Sequence, residues 1–155
     1  MRAALQRVST ACVRTGGEVF SSIGRGLLIY LGLHRTDGVA ERDWMIRKIL
    51  QARLFEEPSG RLMTRNVLEE TAEILVVSQV TLYGDLRKGN RPDMSESMKP
   101  AEARPLYENF VEEMRRASGL KIATGSFGAL MSVESCNEGP VTLLLDTASR
   151  KGEAF

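Results

Sequence analysis

Histidine and cysteine, the side chains that most often catalyse reactions or bind transition metals, are scarce in this sequence of 155 residues. There is one histidine, His34, and there are two cysteines, Cys12 and Cys136. Two cysteines are too few for a disulfide framework at this length, so we expect each to be a small buried hydrophobic residue in a reducing compartment. The three side chains have no zinc-ligand spacing, and we predict neither a metal ion nor a cofactor.

The sequence motifs of two large hydrolase classes are also absent. There is no Gly-x-x-x-x-Gly-Lys-Ser/Thr loop, which argues against an ATPase. There is no Gly-x-Ser-x-Gly elbow, which weakens the case for a serine hydrolase. A triad of His34 with a serine elsewhere in the chain stays open, although a surface position at a strand end is the simpler interpretation. Gly24-Arg25-Gly26 is too short for a nucleotide-binding fingerprint and is typical of a tight turn.

An excess of one charge and a long hydrophobic run are missing as well. The formal net charge is +1, so any contact with RNA must come from a local patch. The longest apolar stretch, residues 26–33, is far too short to span a bilayer. Residues 1–7 lack the apolar run of a secretory signal and are typical of a first strand. We therefore expect a cytoplasmic protein with no membrane partner.

The hydrophobic residues that are present, 43% of the chain, suffice for one core. Their patterning predicts six strands, at residues 2–15, 18–23, 27–31, 74–80, 130–136 and 141–146. Two helices are predicted, one from a cap at Asp37 to about Arg53 and one from about Ala101 to Ala117. The predicted fold class is α/β, as a compact, β-rich single domain in which two main helices pack on a sheet or partial barrel. We expect residues 1–147 to form this domain and residues 148–155 to form a frayed polar tail.

Three details of these elements can be tested against a structure. The apolar side of the first helix is predicted to consist of Ala40, Trp44, Ile49 and Leu50. The apolar side of the second is predicted to consist of Leu106, Phe110, Val111 and Met114, with Pro105 near its first turn and Ser118-Gly119 at its end. The last two strands are predicted to be joined by a turn at residues 137–140.

The segment from Gly84 to Lys99 is polar and is predicted to be a long loop. Such a loop in a compact domain is more often functional than idle. It contains three cations, Arg87, Lys88 and Arg91. Two interpretations stay open, a solvated loop and a patch that contacts the phosphates of RNA.

Two segments carry a further signal because they occur together with several shorter ones in a fixed order. The two are Ser78-Gln79-Val80-Thr81-Leu82 and Asn137-Glu138-Gly139-Pro140-Val141-Thr142. The shorter ones are Gln6-Arg7-Val8, Gly24-x-Gly26-Leu27-Leu28, Arg53-Leu54-Phe55, Arg87-Lys88-Gly89, Arg91-Pro92, Pro105-Leu106-Tyr107 and Thr124-Gly125-x-Phe127-Gly128-Ala129-x-Met131-x-Val133. Over residues 1 to about 147 this arrangement resembles the D-aminoacyl-tRNA deacylase family.

The resemblance implies a homodimer with each active site at the subunit interface. The Gly139-Pro140 bond would be cis, and the pair would project into the pocket of the second subunit. Its carbonyl oxygens would accept hydrogen bonds from the α-amino group of the substrate, and an L side chain would clash with the backbone. The alternative suggested by position alone is a plain hairpin turn.

The implied reaction is hydrolysis of the ester that joins a D-amino acid, or misattached glycine, to the terminal ribose of tRNA. Ser78, Gln79 and Thr81 would be the catalytic residues, and backbone N–H groups of residues 78–81 would stabilise the oxyanion. No base is evident beside Thr81, so we expect its hydroxyl to position water rather than to attack. The 2′-hydroxyl of the RNA would help to activate that water.

The resemblance also assigns binding roles. Arg7 would brace the Gly-Pro segment, while Met131 and Phe127 would line the pocket, although a plain core role is an equal alternative for these two. The full set of expected substrate-binding residues is Val80, Gly139, Pro140, Arg7, Met131 and Phe127, and the expected tRNA contacts are Arg87, Lys88 and Arg91. Asp85, Glu134 and Asp146 are the nearest carboxylates in sequence, and each is either a general base or an ordinary surface charge.

The chain departs from the family pattern at four positions. Val80 stands where phenylalanine is usual, Ser126 where arginine is usual, and Leu130 where an acid is usual. Asp93 replaces a usual hydrophobic or aromatic residue. The departures at Val80 and Ser126 support a second hypothesis, a non-catalytic nucleic-acid-binding protein on the same fold.

Overall fold

The computed structural model describes residues 1–151, and the side chains of residues 1–149. The described part contains six strands and two α-helices, which confirms the predicted α/β class. The strands are β1 (Arg2–Thr15), β2 (Glu18–Ile23), β3 (Gly26–Gly32), β4 (Glu73–Ser78), β5 (Ile122–Thr124) and β6 (Ser132–Asp146). The helices are α1 (Val39–Gln51) and α2 (Pro100–Ser118), and short 3₁₀ helices span Val80–Tyr83 and Thr147–Lys151.

The long strand β1 organises the sheet because it pairs with three other strands. Its first half pairs antiparallel with β3, its second half pairs antiparallel with β2, and β6 runs along its other edge. The strands β3, β4 and β5 then follow in parallel. The Ser21 hydroxyl on β2 donates a 2.7 Å hydrogen bond to the carbonyl of Thr124 on β5, so the two ends of the sheet meet. The result is a nearly closed barrel, as the strand-rich pattern predicted.

The prediction of a turn at residues 137–140 is wrong. Both halves of the segment belong to one strand, β6, and both pair with β1. Gln6 faces Thr142 and Val8 faces Asn137, so residues 138–141 have no partners on β1 and form a bulge. The sequence does not distinguish the two cases, because strand segments with alternating hydrophobicity can flank either a turn or a bulge.

Strand β3 is buried on both faces, as its continuous apolarity predicted. Leu27, Ile29 and Leu31 point to the larger core between the sheet and the helices, whereas Leu28 points into the barrel. The barrel core is completed by Val8, Ala11, Val13, Ile23, Leu75 and Val77. These two layers fix the sheet on which the candidate site is built.

The helices lie close to their predicted bounds, but the first one begins and packs differently. Gly38, rather than Asp37, precedes the first turn of α1. Asp37 instead accepts a 2.6 Å hydrogen bond from the backbone N–H of His34. The buried side of α1 consists of Met45, Ile46, Ile49 and Leu50. The predicted Trp44 is half-buried and packs against this core, whereas Ala40 is exposed, so only the prediction at Ala40 is wrong. In α2, Phe110, Val111 and Met114 are buried with Tyr107 and Ala103, while Leu106 is half-buried.

Three further predictions can be checked at the ends and edges of the fold. Helix α2 ends at Gly119, which has the left-handed backbone conformation that favours glycine, as expected. Pro105 lies at the start of the second turn of α2, next to the first turn as predicted, and the helix begins at Pro100, one residue before its predicted start. Residues 148–151 of the expected tail belong to the last 3₁₀ helix, and residues 152–155 lie outside the described residues.

The two cysteines are not buried as predicted. Cys12 is half-buried on β1 and Cys136 is exposed on β6, and neither forms a disulfide. Alternate residues of these strands point away from the core, and both cysteines occupy such positions. None of the helices within residues 1–151 is long and apolar enough to cross a membrane.

Candidate active site

A cavity of about 680 Å³ opens where the carboxyl end of β4 meets the start of α2. Strand β4 supplies Val77 and Ser78, and the chain continues along the wall as Gln79 and Val80. The opposite side is formed by residues 127–131. The remaining lining residues are Leu31, Leu33, Met94, Ser97, Met98, Lys99, Pro100, Ala103 and Val133. We call this cavity the pocket. The fold therefore brings together five residues that the sequence singled out, Ser78, Gln79, Val80, Phe127 and Met131.

The wall at residues 78–81 is held against the sheet by a close approach. A Cβ atom at Gly32 would lie 3.0 Å from Leu82 Cβ and 3.1 Å from the carbonyl oxygen of Gln79. Val80 begins a 3₁₀ helix rather than ending a strand, which corrects the predicted strand 74–80. Its side chain is 52% exposed, because the helix turns it outward at the pocket rim.

The Ser-Gln-Val-Thr segment offers fewer backbone donors than the sequence implied. The N–H of Gln79 donates a 2.8 Å hydrogen bond to the carbonyl of Leu31, so this amide is occupied. Val80 and Thr81 open the 3₁₀ helix, and the first N–H groups of a helix have no acceptor within it. The Gln79 side-chain amide donates to the Thr81 hydroxyl. The lone pairs of that hydroxyl are thus partly engaged, and its own hydrogen is left to donate elsewhere.

Phe127 and Met131 are fixed by contacts behind the opposite wall. The Phe127 ring lies 5.4 Å from the ring of Tyr107, whose hydroxyl donates a 2.8 Å hydrogen bond to the carbonyl of Val76. Burial raises the pKa of Tyr107, so it remains a neutral donor there. The Met131 sulfur accepts a 3.2 Å contact from the backbone N–H of Ser126 and packs where Gly125 has no side chain. Both predicted side chains line the pocket and contact the core.

The carboxylates and the histidine suggested as catalysts lie elsewhere. Asp146 pairs with Arg2, Glu134 pairs with Arg14, and Asp85 pairs with Arg87. The His34 imidazole hydrogen-bonds Thr36 and Glu96, and the one serine paired with His34 in the described residues, Ser97, meets its backbone in a β-bridge. His34, Asp85 and Asp146 line a separate polar cavity of about 660 Å³. Within the described residues, Lys99 is the one ionisable side chain that lines the pocket.

The bulge at residues 138–141, which we call the β6 bulge, is exposed at its tip. The Gly139–Pro140 peptide bond is cis, and Gly139 has a φ of 122°, in the region that favours glycine. A Cβ atom at Gly139 would lie 2.9 Å from Val141 Cγ2 and 3.0 Å from Arg7 Nη2. The Asn137 side chain closes the base of the bulge by accepting a 3.0 Å hydrogen bond from the Val141 N–H.

Charged side chains support the β6 bulge from below. Arg7 is buried, and its guanidinium donates to the carbonyls of Glu138 at 3.2 Å and of Leu54 at 2.7 Å. It also contacts the Glu56 carboxylate at 3.0 Å. The Glu138 carboxylate lies 3.6 Å from Arg7 and 3.7 Å from Arg25. Sequence reasoning identified Arg7, but the distant partners Arg25 and Glu56 carry no motif that would have revealed them.

The pocket and the β6 bulge are separate within one chain. Gly139, Pro140 and Arg7 do not line the pocket, and Thr81 lies beside it on the same wall as Gln79. Met94, Ser97, Met98 and Lys99 were missed as lining residues, although they belong to the long loop that length alone marked as functional.

The cations of that loop differ in their surroundings. Asp85 and Asp93 form a β-bridge that closes the first part of the loop and leaves Arg87, Lys88 and Arg91 exposed at the tip between them. Arg87 hydrogen-bonds Asp85 at 2.6 Å and holds the pKa of that carboxyl at about 2. Lys88 and Arg91 form no ion pair with any residue that the structure describes.

Comparisons with known proteins show the family to which the chain is similar. The family model described as D-Tyr-tRNA(Tyr) deacylase matches residues 4–146. A D-aminoacyl-tRNA deacylase of Chlorobaculum parvum is 51% identical over 97% of this chain and 100% of its own length. One of Bacteroides thetaiotaomicron is 46% identical over 97% of this chain and 100% of its own.

Two solved structures share the fold. The c-Myc DNA Unwinding Element Binding Protein has a TM-score of 0.90 and 42% identity, with 94% of this chain and 98% of that chain covered. A probable eukaryotic D-amino acid tRNA deacylase has a TM-score of 0.78 at 20% identity, with 93% and 97% covered, and at that identity it supports the fold alone. The match of the family model over nearly the whole chain, together with full-length relatives near 50% identity, shows that this chain belongs to the D-Tyr-tRNA(Tyr) deacylase family.

Proposed function

We propose that this protein is a D-aminoacyl-tRNA deacylase that uses the pocket to hydrolyse the ester between a D-amino acid and the terminal ribose of tRNA. Family membership and the full-length relatives support the deacylase activity. The observation that carries the assignment of the site is the convergence of Ser78, Gln79 and Val80 with Phe127 and Met131 on facing walls of one cavity. Its volume, about 680 Å³, is within the range of small-molecule sites and suits an aminoacylated adenosine.

The chemistry proposed for the pocket needs donors rather than a protein base. Water adds to the ester carbonyl, the resulting oxyanion collapses, and the bond to the ribose 3′-oxygen breaks as that oxygen takes a proton. The free N–H groups at the start of the 3₁₀ helix, those of Val80 and Thr81, stabilise the oxyanion. Removing one such donor elsewhere costs roughly a hundred- to a thousandfold in rate.

The Thr81 hydroxyl positions the attacking water in this proposal. It has no carboxylate or imidazole partner, and its described partner is the Gln79 amide, which donates to it. An unactivated threonine is a poor nucleophile, so direct attack is the weaker alternative. The 2′-hydroxyl of the terminal ribose takes the proton of the attacking water and passes its own proton to the departing 3′-oxygen, so a 2′-deoxy substrate is expected to be inert.

The β6 bulge is proposed to act in the pocket of a second copy of the chain. Gly139 and Pro140 are exposed and do not line the pocket of their own chain, so they are free to enter another. Exposed apolar side chains provide a surface for the homodimer at both places. Leu130, at the pocket rim, is 95% exposed, and Leu144, on β6, is 66% exposed.

Selection in this dimer comes from the backbone of the bulge. Its carbonyl oxygens accept hydrogen bonds from the α-ammonium group, and an L side chain would point into the backbone. A D side chain, or the hydrogen of glycine, points to open space, so glycyl-tRNA is also a substrate. Rejection by a clash requires no contact with the D side chain and therefore tolerates many side-chain types.

The exposed loop tip is proposed to contact the tRNA beyond the pocket. Lys88 and Arg91 form no close ion pair in the described chain, and cations gain free energy by releasing counterions from RNA. Arg87 is already paired with Asp85 and contributes less. The free cysteines and the tRNA substrate fit a cytoplasmic protein.

A second candidate function is binding of nucleic acid without catalysis. It is favoured by one observation, the name of the structural relative with a TM-score of 0.90, which describes binding to a DNA element. Both functions predict binding of nucleic acid, and only the first predicts turnover.

The discriminating experiment compares D-tyrosyl-tRNA and L-tyrosyl-tRNA, each incubated with the protein in the presence of a metal chelator. The proposal predicts rapid ester loss from the D form and slow loss from the L form. Equal loss, or loss no faster than in buffer, would contradict it. A protein that binds both substrates and hydrolyses neither would favour the second function.

A further inference from the structure

One cation, Lys99, lines the pocket, and a second, Arg104, contacts the lining residue Phe127; neither belongs to the family segments that identified the site. Lys99 lines the pocket directly before α2, and Arg104 projects from the second turn of that helix. The rest of the pocket lining is uncharged. Two cations beside an otherwise neutral cavity favour a ligand that has a neutral part and an anionic part.

Arg104 is already oriented for such a ligand. Its guanidinium donates a 3.2 Å hydrogen bond to the carbonyl of Phe127 and stacks over the Phe127 ring, with Cζ 4.9 Å from the ring centroid. The Glu108 carboxylate lies at 3.9 Å, and both side chains are more than half exposed, so that pair is weak. Most of the five N–H donors of Arg104 therefore remain available.

The ammonium group of Lys99 is also available to bind a ligand. Lys99 has no ion pair or hydrogen bond through its ammonium group anywhere in the described chain, and its side chain is exposed at the rim. An ammonium group acts as a point charge for phosphate, whereas the planar fork of arginine binds two phosphate oxygens together. Lys99 can therefore contribute charge to a bound phosphate, while Arg104 contributes two directed hydrogen bonds.

We propose that Lys99 and Arg104 bind the phosphodiester on the 5′ side of the terminal nucleotide of the tRNA. The proposal rests on the proposed function, because it takes the ester to lie at residues 78–81 and the adenosine to lie against Phe127. The next group outward along the nucleotide is that phosphate. The RNA chain then leaves the pocket past α2 and the 127–131 segment. The pair thereby draws the acceptor end into the pocket and is distinct from the loop tip at Lys88 and Arg91.

The test uses two small substrates that differ in one group, 3′-O-D-tyrosyl-adenosine with and without a 5′-phosphate. The measured quantity is the phosphate gain, the ratio of kcat/KM for the two. For the unaltered protein we expect a gain on the order of tenfold or more, which falls as salt is raised. In Lys99→Gln and in Arg104→Gln the gain drops towards one, and in Arg104→Lys it drops partly because the fork is lost. The matched control is Lys48→Gln on α1, which removes the same charge far from the rim and keeps the gain.

Binding of non-hydrolysable 3′-amide analogues, with and without the phosphate, separates this inference from the proposed function. Tighter binding of the phosphorylated analogue, lost in Lys99→Gln, supports the phosphate site whatever the rate of hydrolysis. Equal binding of both analogues, or a phosphate gain unchanged in both variants, overturns it even if D-aminoacyl-tRNA is hydrolysed. Absence of hydrolysis of D-aminoacyl-tRNA by the unaltered protein would overturn the proposed function instead.

Discussion

The pocket and the β6 bulge differ in almost every physical respect. The pocket is concave and mostly apolar, whereas the bulge is convex and exposed at its tip and rests on a network of charged side chains around the buried Arg7. The pocket has room for a ligand, but its described lining shows no feature that distinguishes a D-amino acid from an L-amino acid. The bulge has rigid carbonyls but no cavity of its own. The difference fits the proposal that binding and selection are carried by separate parts, which a second copy of the chain would bring together.

The largest expected effect follows from removing the charge that supports the bulge. Arg7→Met deletes a buried guanidinium and leaves the carboxylates of Glu56 and Glu138 without it. The carbonyls of Leu54 and Glu138 lose hydrogen bonds from a charged donor, each worth about 1.5–3 kcal/mol, so we expect the free energy of unfolding to fall by about 3 kcal/mol. Chemical denaturation measures this, with Arg7→Lys as a control that keeps the charge and loses less. A stability equal to that of the unaltered protein would contradict the network.

A change at the tip of the bulge should affect selection before stability. Gly139→Ala introduces a Cβ 2.9 Å from Val141 Cγ2 at a φ of 122° and must displace the backbone. Misplacement by about 1 Å can cost a hundredfold, so we expect the ratio of kcat/KM for D- over L-aminoacyl-tRNA to fall on the order of a hundredfold. The matched control is Gly60→Ala, in an open turn where nothing lies within 4 Å. An unchanged ratio would remove the bulge from selection.

A change in the pocket should weaken substrate binding and leave the selection between D and L substrates unchanged. Phe127→Ala removes the ring against which the adenosine is proposed to stack. Stacking of one base on an aromatic ring is worth roughly 1–3 kcal/mol, so we expect KM for D-aminoacyl-tRNA to rise on the order of tenfold. Since the bulge is untouched, the ratio of D over L rates stays as it was. A loss of that ratio would mean that the two regions are not separable.

The smallest effect is expected at the loop tip, which belongs to neither region. Arg87 holds the pKa of Asp85 at about 2, below its ordinary 3.8. A lowered carboxyl pKa stabilises the loop above pH 3.8, and that contribution is lost as the pH falls through about 2. An NMR titration of Asp85 should therefore have its midpoint near 2. In Arg87→Gln the midpoint should rise towards 3.8 without reaching it, because the backbone N–H of residue 87 and the charge of Lys88 still lower the pKa. A midpoint near 3.8 in the unaltered protein would show that the pair does not form in solution.

The two regions also differ in how far the sequence predicted them. The buried strand at residues 27–31 and the helix ending at Gly119 follow from local patterns, which is why both predictions are confirmed. The lining at Gln79, Phe127 and Met131 came from the family resemblance, since none of these side chains is reactive by itself. The bulge was predicted as a turn because pairing of both flanks with β1 is a long-range fact. The support from Arg25 and Glu56 depends on contacts between distant segments that no local pattern contains.

The central claim is that the bulge of one subunit selects the substrate that binds in the pocket of the other. Mixed dimers test this claim most directly. Two variants are co-expressed with different tags, Ser78→Trp, which fills the pocket, and Gly139→Ala, which disrupts the bulge. The mixed dimer has one open pocket, and it lies in the Gly139→Ala chain. If selection acts across the interface, that pocket is served by the intact bulge of the Ser78→Trp chain, and the purified mixed dimer hydrolyses D-aminoacyl-tRNA with its selectivity restored. If the mixed dimer is as unselective as the Gly139→Ala homodimer, the bulge acts within its own chain and the account is contradicted.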